Sequence, residues 1–167
     1  MTYRARLVLN DCALALELLE QATTDELWRV HWFAAIGLVR TVGDVLDKVD
    51  GLNPMLAPKI AQAYKDWQAD RERYRIYWDF IKDQRDKLIH QYASDVHPLE
   101  IIPIAVEYCV ASVDDGSEHI VSDIFELDEN IYRPMLDGPW EGDDARDVLR
   151  NAIDWWKAEL DKLDSLA

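Results

Sequence analysis

Residues 23–54 read TTDELWRVHWFAAIGLVRTVGDVLDKVDGLNP, and the period of their apolar side chains decides the fold class. Trp28, Trp32, Phe33, Ile36, Val39, Val42, Leu46 and Val49 recur every three or four residues, which stacks them along one side of an α-helix. Thr23-Thr24-Asp25-Glu26 fits a capping box at its start, with the Thr23 hydroxyl and the Glu26 carboxylate each satisfying a backbone donor. Gly51, Asn53 and Pro54 supply the stop. Gly37 and Gly43, six residues apart inside this helix, are places where a neighbouring helix can come close.

Upstream, Leu7, Leu9, Ala13, Leu14, Leu16, Leu18 and Leu19 predict a first helix over residues 4–21. Downstream, a long third helix is expected from Pro58 through Ile60, Tyr64, Trp67, Tyr74, Ile76, Tyr77, Trp78, Phe80, Ile81, Leu88 and Ile89, with a bend or break near Asp83-Gln84. Beyond Ser94 the pattern changes. Pro98 and Pro103 oppose a regular helix, residues 104–113 are rich in β-branched and aromatic side chains, and Asp115-Gly116 is a hairpin turn leading into residues 118–127. Residues 128–142, with Asn130, Pro134, Gly138, Pro139 and Gly142, describe a loop anchored by Trp140. Asp143 or Asp144 then caps a last helix whose Val148, Leu149, Ala152, Ile153, Trp156, Leu160 and Leu163 form one stripe. The expected fold is mainly α: a bundle of about four long helices with a β-hairpin insertion before the last, a single domain over 1–167 in which 98–142 form the hairpin and loop insertion.

At 167 residues the chain is long enough to bury one sizeable core. No apolar run approaches the roughly 18 residues of a membrane span, and Asn10, Asp11, Glu17 and Glu20 interrupt the segment after Arg4 and Arg6, unlike a signal peptide. A cytoplasmic protein without a membrane partner is expected. Cys12 and Cys109 form no CxxC and are expected to be reduced and packed. His90, Asp95, His97 and His119 match no metal-ligand spacing, so neither a metal nor a cofactor is expected. Gly-rich phosphate loops, GxSxG and HExxH are absent from the sequence.

A net charge of −15 opposes general attraction to a nucleic-acid backbone, but its distribution is uneven. Residues 59–90 hold eight basic and six acidic side chains, whereas residues 93–167 hold five and nineteen. Within the basic stretch, Arg71, Arg73 and Arg75 alternate beside Tyr74, Tyr77 and Trp78, for which core packing and a solvated basic face compete with base stacking.

The same stretch contains Arg85-Asp86-Lys87-Leu88-Ile89-His90-Gln91-Tyr92. On one straight helix, residues five apart lie about 140° apart around the axis, so Arg85 and His90 do not converge there. A helix start or break between them, or a second subunit related by a two-fold axis, would bring a guanidinium and an imidazole to one phosphate. Imidazoles titrate near neutrality and suit proton transfer to and from RNA oxygens, while a guanidinium stabilises charge growing on phosphoryl oxygens. Arg85-Asp86 with His90 resembles the RxxxxH signature of the HEPN superfamily, and Tyr92 extends it to RxxxxHxY. That longer form is similar to HEPN toxins encoded beside minimal nucleotidyltransferase antitoxins. The resemblance implies a metal-independent endoribonuclease, a toxin or defence component working as a homodimer of helical bundles, with a 2′,3′-cyclic phosphate product. It implies His90 and Arg85 as catalytic groups, Asp86 as their orienting partner, Tyr92 as a site of AMP attachment, and an RNA substrate and a nucleotidyltransferase antitoxin as partners. From this composition, RxxxxH alone is expected about 0.26 times by chance, and the extended pattern about 0.002 times.

The hairpin and the acidic tail have no counterpart in that family's short helical form. The competing reading is a non-catalytic helical interaction domain that binds a protein partner. In it Arg85 pairs with Asp79 or Asp83, and His90 and Tyr92 are ordinary helix-end residues.

Overall fold

The computed structural model describes residues 1–97, 102–111, 117–127 and 132–165. Helix α1 (Tyr3–Glu20) turns through residues 21–24 into α2 (Asp25–Lys48). The cap falls one residue later than the sequence suggests: Thr24 Oγ1, not Thr23, accepts from Leu27 N at 3.3 Å. Asp25 and Glu26 in the first turn complement the helix dipole. A short 3₁₀ turn (Asp50–Leu52) follows, and its buried Asp50 reaches back to the start of α1, accepting from Arg4 N at 3.1 Å and Ala5 N at 2.9 Å. Asp50 therefore satisfies donors that α1 cannot satisfy itself, since its own N-cap residue, Thr2, makes no side-chain capping bond.

The expected third helix is two pieces, and its break lies earlier than Asp83-Gln84. Helix α3 (Ala57–Ala69) ends at Asp70, whose Oδ1 accepts from Arg73 N at 3.1 Å in a turn over residues 70–74. The chain then enters a seven-residue π-helical segment (Ile76–Lys82), which passes without interruption into α4 (Asp83–Gln91). π-Helical turns are rare and concentrate at functional sites. The final helix α5 (Ala145–Ser165) begins beside Asp144, whose Oδ1 accepts from Arg146 N at 2.9 Å.

The core lies among α1, α2, α5 and the π segment. It gathers Leu9, Leu16 and Leu19 from α1, Trp32, Ile36 and Val39 from α2, Phe80 and Ile81 from the π segment, and Leu149, Trp156 and Leu160 from α5. A fully buried leucine- or phenylalanine-sized side chain contributes about 1.5–3 kcal/mol, so this shared cluster, rather than helix propensity, holds the bundle. Cys12 sits inside it, and burial, with Asp11 nearby, pushes its thiol up to about 12. Gly43 lets Trp156 close on α2: an added Cβ would stand 3.1 Å from the indole. Gly37 serves no such contact, since its Cβ position meets nothing within 4 Å.

The hairpin precedes the last helix as expected. Strand β1 (Ile102–Ala111) pairs antiparallel with β2 (Glu118–Leu127), with Tyr108 opposite Val121. The Asp115-Gly116 turn, the end of the expected first strand at 112–113, Pro98 and Asn130 lie outside the described residues. Every described side chain of residues 103–111 and 118–126 is exposed, including Cys109, which is not packed as the sequence suggested. Trp140 does return to the core, its ring 5.9 Å from that of Phe80. Among the described residues no helix is long and apolar enough to cross a membrane.

Candidate functional site

Arg85, Asp86 and His90 share one helix. The buried side of α4 is Gln84, with Leu88 packed beside it, and the turn-by-turn rotation places Asp86 and His90, four apart, in one row on the outer side. Ile89, four beyond Arg85, is an exposed apolar residue in the next row. The helix runs unbroken from Asp83 to Gln91, so the break that would let Arg85 and His90 meet within one chain is absent, and the pair stays about 140° apart around the axis.

Charge is organised around Asp86. Its carboxylate accepts from Lys82 Nζ at 2.7 Å and from Arg85 Nη1 at 2.9 Å. Arg85 thus pairs with its neighbour rather than with Asp79 or Asp83, and its side chain remains one-third exposed. The Lys82 ammonium, aided by Arg85 and against partial burial, holds the Asp86 carboxyl below the usual carboxylate range. His90 is exposed at the helix end, where a cationic imidazole would favour the dipole.

A clamp fixes the end of this helix. Asp95 accepts from Gln84 Nε2 at 2.7 Å and from Lys87 Nζ, while Lys87 also meets Asp83 at 2.9 Å. Burial lowers the Lys87 pKa, but Asp95 and Asp83 outweigh it and raise the net value. The following chain is pinned by His97 N donating to Pro134 O at 2.9 Å and by a Val96–Met135 bridge. The Lys82–Asp86 pair at four-residue spacing is legible in sequence, whereas the Asp95 clamp depends on the reversal after α4 and leaves no local signal.

Tyr92 closes α4 in the left-handed conformation, φ 50°, as the one non-glycine residue at positive φ among the described residues. Glycine usually takes this position because a Cβ there is unfavourable. The ring rests edge-on against Phe33, centroids 4.8 Å apart, and the residue is 70% exposed.

The aromatic and arginine alternation upstream is structural. Tyr77 is buried, Trp78 Nε1 donates to Trp67 O at 2.8 Å, and Arg71, Arg73 and Arg75 lie over the rings of Trp78, Tyr74 and Trp140 at 4.5, 5.5 and 5.4 Å. The four residues weighed as metal ligands do not assemble: His119 is on the hairpin beside Ser117, Asp95 is in the clamp and His90 projects from α4. A comparison of the chain with protein-family models, curated proteins and solved structures finds no match.

Proposed function

We propose that the protein is a HEPN-like, metal-independent endoribonuclease that cleaves RNA across a groove formed by two copies of α4, with the toxin or defence role that such an activity serves. The observation that carries this reading is the outward presentation of Arg85, Asp86 and His90 on one rigidly held helix, beside the exposed apolar Ile89. Because the helix is continuous, one chain cannot bring Arg85 and His90 together; a two-fold related copy supplies the missing group. Ile89 provides apolar surface for that contact.

In the reaction the RNA 2′-oxygen forms a bond to the adjacent phosphorus and the bond to the 5′-oxygen breaks. The 2′-hydroxyl proton is taken up and one is delivered to the leaving oxygen, giving a 2′,3′-cyclic phosphate and a 5′-hydroxyl. His90 moves the proton, Arg85 faces the non-bridging oxygens, and Asp86 positions Arg85 through their 2.9 Å contact. Lys82, Arg85 and Lys87 pair with Asp83, Asp86 and Asp95, which offsets the acidic side chains around α4. Tyr92, exposed two residues beyond His90, is the acceptor for AMP transferred by a nucleotidyltransferase antitoxin. The test is cleavage of labelled RNA in excess chelator. Wild type yields cyclic phosphate ends, Arg85→Ala and His90→Ala yield none, and intact RNA with a folded wild-type dimer across varied substrates overturns the reading.

A second reading, a non-catalytic interaction domain, is favoured by the hairpin. One of its faces carries Ile104, Val106, Tyr108, Val110, Val121 and Phe125, all exposed, with Asp123 among them, while the other carries the exposed Ile120 and Ile124 with Glu107, Glu118 and Glu126. A two-stranded ribbon is marginal alone in water, and the exposed apolar side chains on its faces suit cover by a protein partner. On this reading the wild-type protein leaves RNA intact, and serine at Val106, Tyr108 and Phe125 abolishes co-purification of the protein partner; RNA cleavage by the wild type, or co-purification unchanged by the three substitutions, overturns it.

A further inference from the structure

The insertion between α4 and α5 concentrates the charge of the chain. Residues 98–131 hold nine Asp and Glu and no Lys or Arg, in a protein of net charge −15. Glu107, Glu118 and Glu126 have no ion-pair partner among the described residues, and Asp123 accepts from the Tyr108 hydroxyl. Such a ribbon repels a second copy of itself and any other anionic surface, and attracts cations. It is also open along its edges. Among the described residues β1 and β2 pair only with each other, through ten consecutive register pairs without a bulge. In an antiparallel pair, alternate residues aim their N–H and C=O at the neighbouring strand and the rest aim them outward. The β1 edge is interrupted by Pro103, which has no N–H. Strand β2 contains no Pro, Gly, Lys or Arg, so it lacks the usual devices that stop a strand from pairing further. Its charged residues are all acidic, which discourages an anionic strand and leaves the edge open to a cationic one.

The side chains along that edge follow one pattern on each face. One face of β2 presents Glu118, Ile120, Ser122, Ile124 and Glu126, and the other presents His119, Val121, Asp123 and Phe125. Ile120 and Ile124 are 76% and 73% exposed, because they lie opposite Cys109 and Ala105, which cover little of them. The carboxylates of Glu118 and Glu126 end this row about 27 Å apart at the rise of an extended chain, with the apolar pair between them. We propose that the outer edge of β2 is a docking strand for an extended cationic segment of a partner protein, which adds to the ribbon as a third strand. The backbone of that segment fills the open hydrogen-bonding edge, and its Lys or Arg side chains meet Glu118, Asp123 and Glu126. Its apolar side chains cover Ile120 and Ile124 on one face and Val121 and Phe125 on the other. A third strand also brings the ribbon to the width at which a sheet becomes stable. The proposal deepens the interaction-domain reading: it rests on that reading for the hairpin contact, but not for the absence of RNA cleavage.

The experiment is calorimetric titration of the full chain with the acetylated, amidated peptide Lys-Val-Val-Lys-Thr-Val-Val-Thr-Lys. Paired antiparallel to β2, it sets its three Lys against Glu126, Asp123 and Glu118. The controls are the same peptide with Glu for Lys, and two Lys peptides N-methylated at odd or at even residues. The Lys peptide is expected to bind about ten-fold tighter than the Glu peptide and to weaken when salt is raised. Methylation of the set that faces β2 should cost about ten-fold, whereas binding by charge alone is indifferent to either set. Glu118→Lys with Glu126→Lys should invert the preference between the Lys and Glu peptides, and Ile120→Thr with Ile124→Thr should weaken the Lys peptide about three-fold or more. All four positions are exposed, and thermal melts confirm that each variant is folded. No heat with the Lys peptide, equal affinity for the Lys and Glu peptides, or no loss with either methylated peptide overturns the docking edge. A dimer in sedimentation that dissociates on Ile120→Thr with Ile124→Thr also overturns it, since the edge then belongs to a second copy. Lys-peptide binding together with RNA cleavage by the wild type keeps the docking edge and removes the non-catalytic reading. Intact RNA and a partner lost on serine substitution at Val106, Tyr108 and Phe125, with no peptide bound, keeps that reading and removes the edge.

Discussion

Replacing Gly43 and Gly37 by alanine in turn separates the two roles a glycine can have inside α2. Glycine in a helix interior costs about 1 kcal/mol relative to alanine, so either substitution starts with a gain of that size. At Gly43 the new Cβ would stand 3.1 Å from Cη2 and Cζ2 of Trp156 and 3.2 Å from Nη1 of Arg40. Arg40 can move aside. Trp156 is fully buried, its Nε1 donates to Val39 O at 2.8 Å, and the rings of Trp155 and Trp67 lie 4.7 and 5.6 Å away. Pushing it costs the order of 1–3 kcal/mol expected for overpacking, which leaves Gly43→Ala destabilised by about 1 kcal/mol. Gly37→Ala keeps its gain, because nothing lies within 4 Å. In a chain of this size each change corresponds to about 2–4 °C in Tm, in opposite directions. Urea unfolding should show the same split, with unchanged slopes. In a Trp156→Phe background, which removes the two crowded ring carbons, Gly43→Ala should turn stabilising. Equal stabilisation by Gly43→Ala and Gly37→Ala in the native background would refute the packing argument.

Acid should unfold the protein partly through Asp164. Burial opposes its ionisation, but hydrogen bonds from Arg6 Nε at 2.9 Å and Thr2 N at 2.7 Å prevail and hold its carboxyl below the usual range. The unfolded chain, with an aspartate pKa of about 3.9, then binds more protons in that window. The contribution is complete above about pH 4 and is lost as pH falls through the folded value; Asp164→Asn should lower Tm at pH 7 more than at pH 3, and equal losses would exclude this source. Replacing residues 98–131 with a short Gly-Ser linker should leave the Tm within a few degrees, since the 2.9 Å His97–Pro134 bond and the Val96–Met135 bridge hold the flanking chains together. A loss of cooperative melting would show that the bundle depends on the hairpin. Tyr92→Phe retains the edge contact with Phe33, so RNA cleavage should persist while AMP transfer by a cognate nucleotidyltransferase, followed by intact mass, disappears.

The helices that bury a stripe were legible because burial imposes a period: Trp28 through Leu46 in α2 and Val148 through Leu163 in α5 lie on the inner faces their spacing indicated. The break after α3 was hidden by a coincidence of phase. Trp67 and Tyr74 are seven residues apart and look like one stripe, although Gln68 to Arg73 contain no large apolar side chain and Asp70 makes the turn. The π segment leaves no composition signal, since it differs from α-helix only in hydrogen-bond register. The hairpin's strands were legible from alternation and its turn sequence, but whether their apolar side chains face a core is a tertiary matter, and they face none among the described residues. Arg133 gave no warning of burial, because its partner Asp25 is 108 positions away and an arginine beside a proline reads as surface loop.

The continuity of α4 makes the strongest demand on the functional reading, because it forces Arg85 and His90 of one site to come from different protomers if they address one phosphate. Each symmetric dimer then has two equivalent sites, each taking Arg85 from one chain and His90 from the other. Arg85→Ala and His90→Ala homodimers are both inactive. Mixed in equal amounts and allowed to exchange, half the dimers are heterodimers, in which one site has lost both groups and the other has kept both. Activity should therefore return to about a quarter of wild type, given a symmetric dimer with independent sites. A single chain carrying both substitutions provides the control and should restore nothing when mixed with itself. Activity in the mixture should also fall on dilution below the dimer dissociation constant, as wild type does. If subunit exchange is demonstrated and the mixture stays inactive, the two groups do not share a site across the interface, and the catalytic assignment of the pair fails with it.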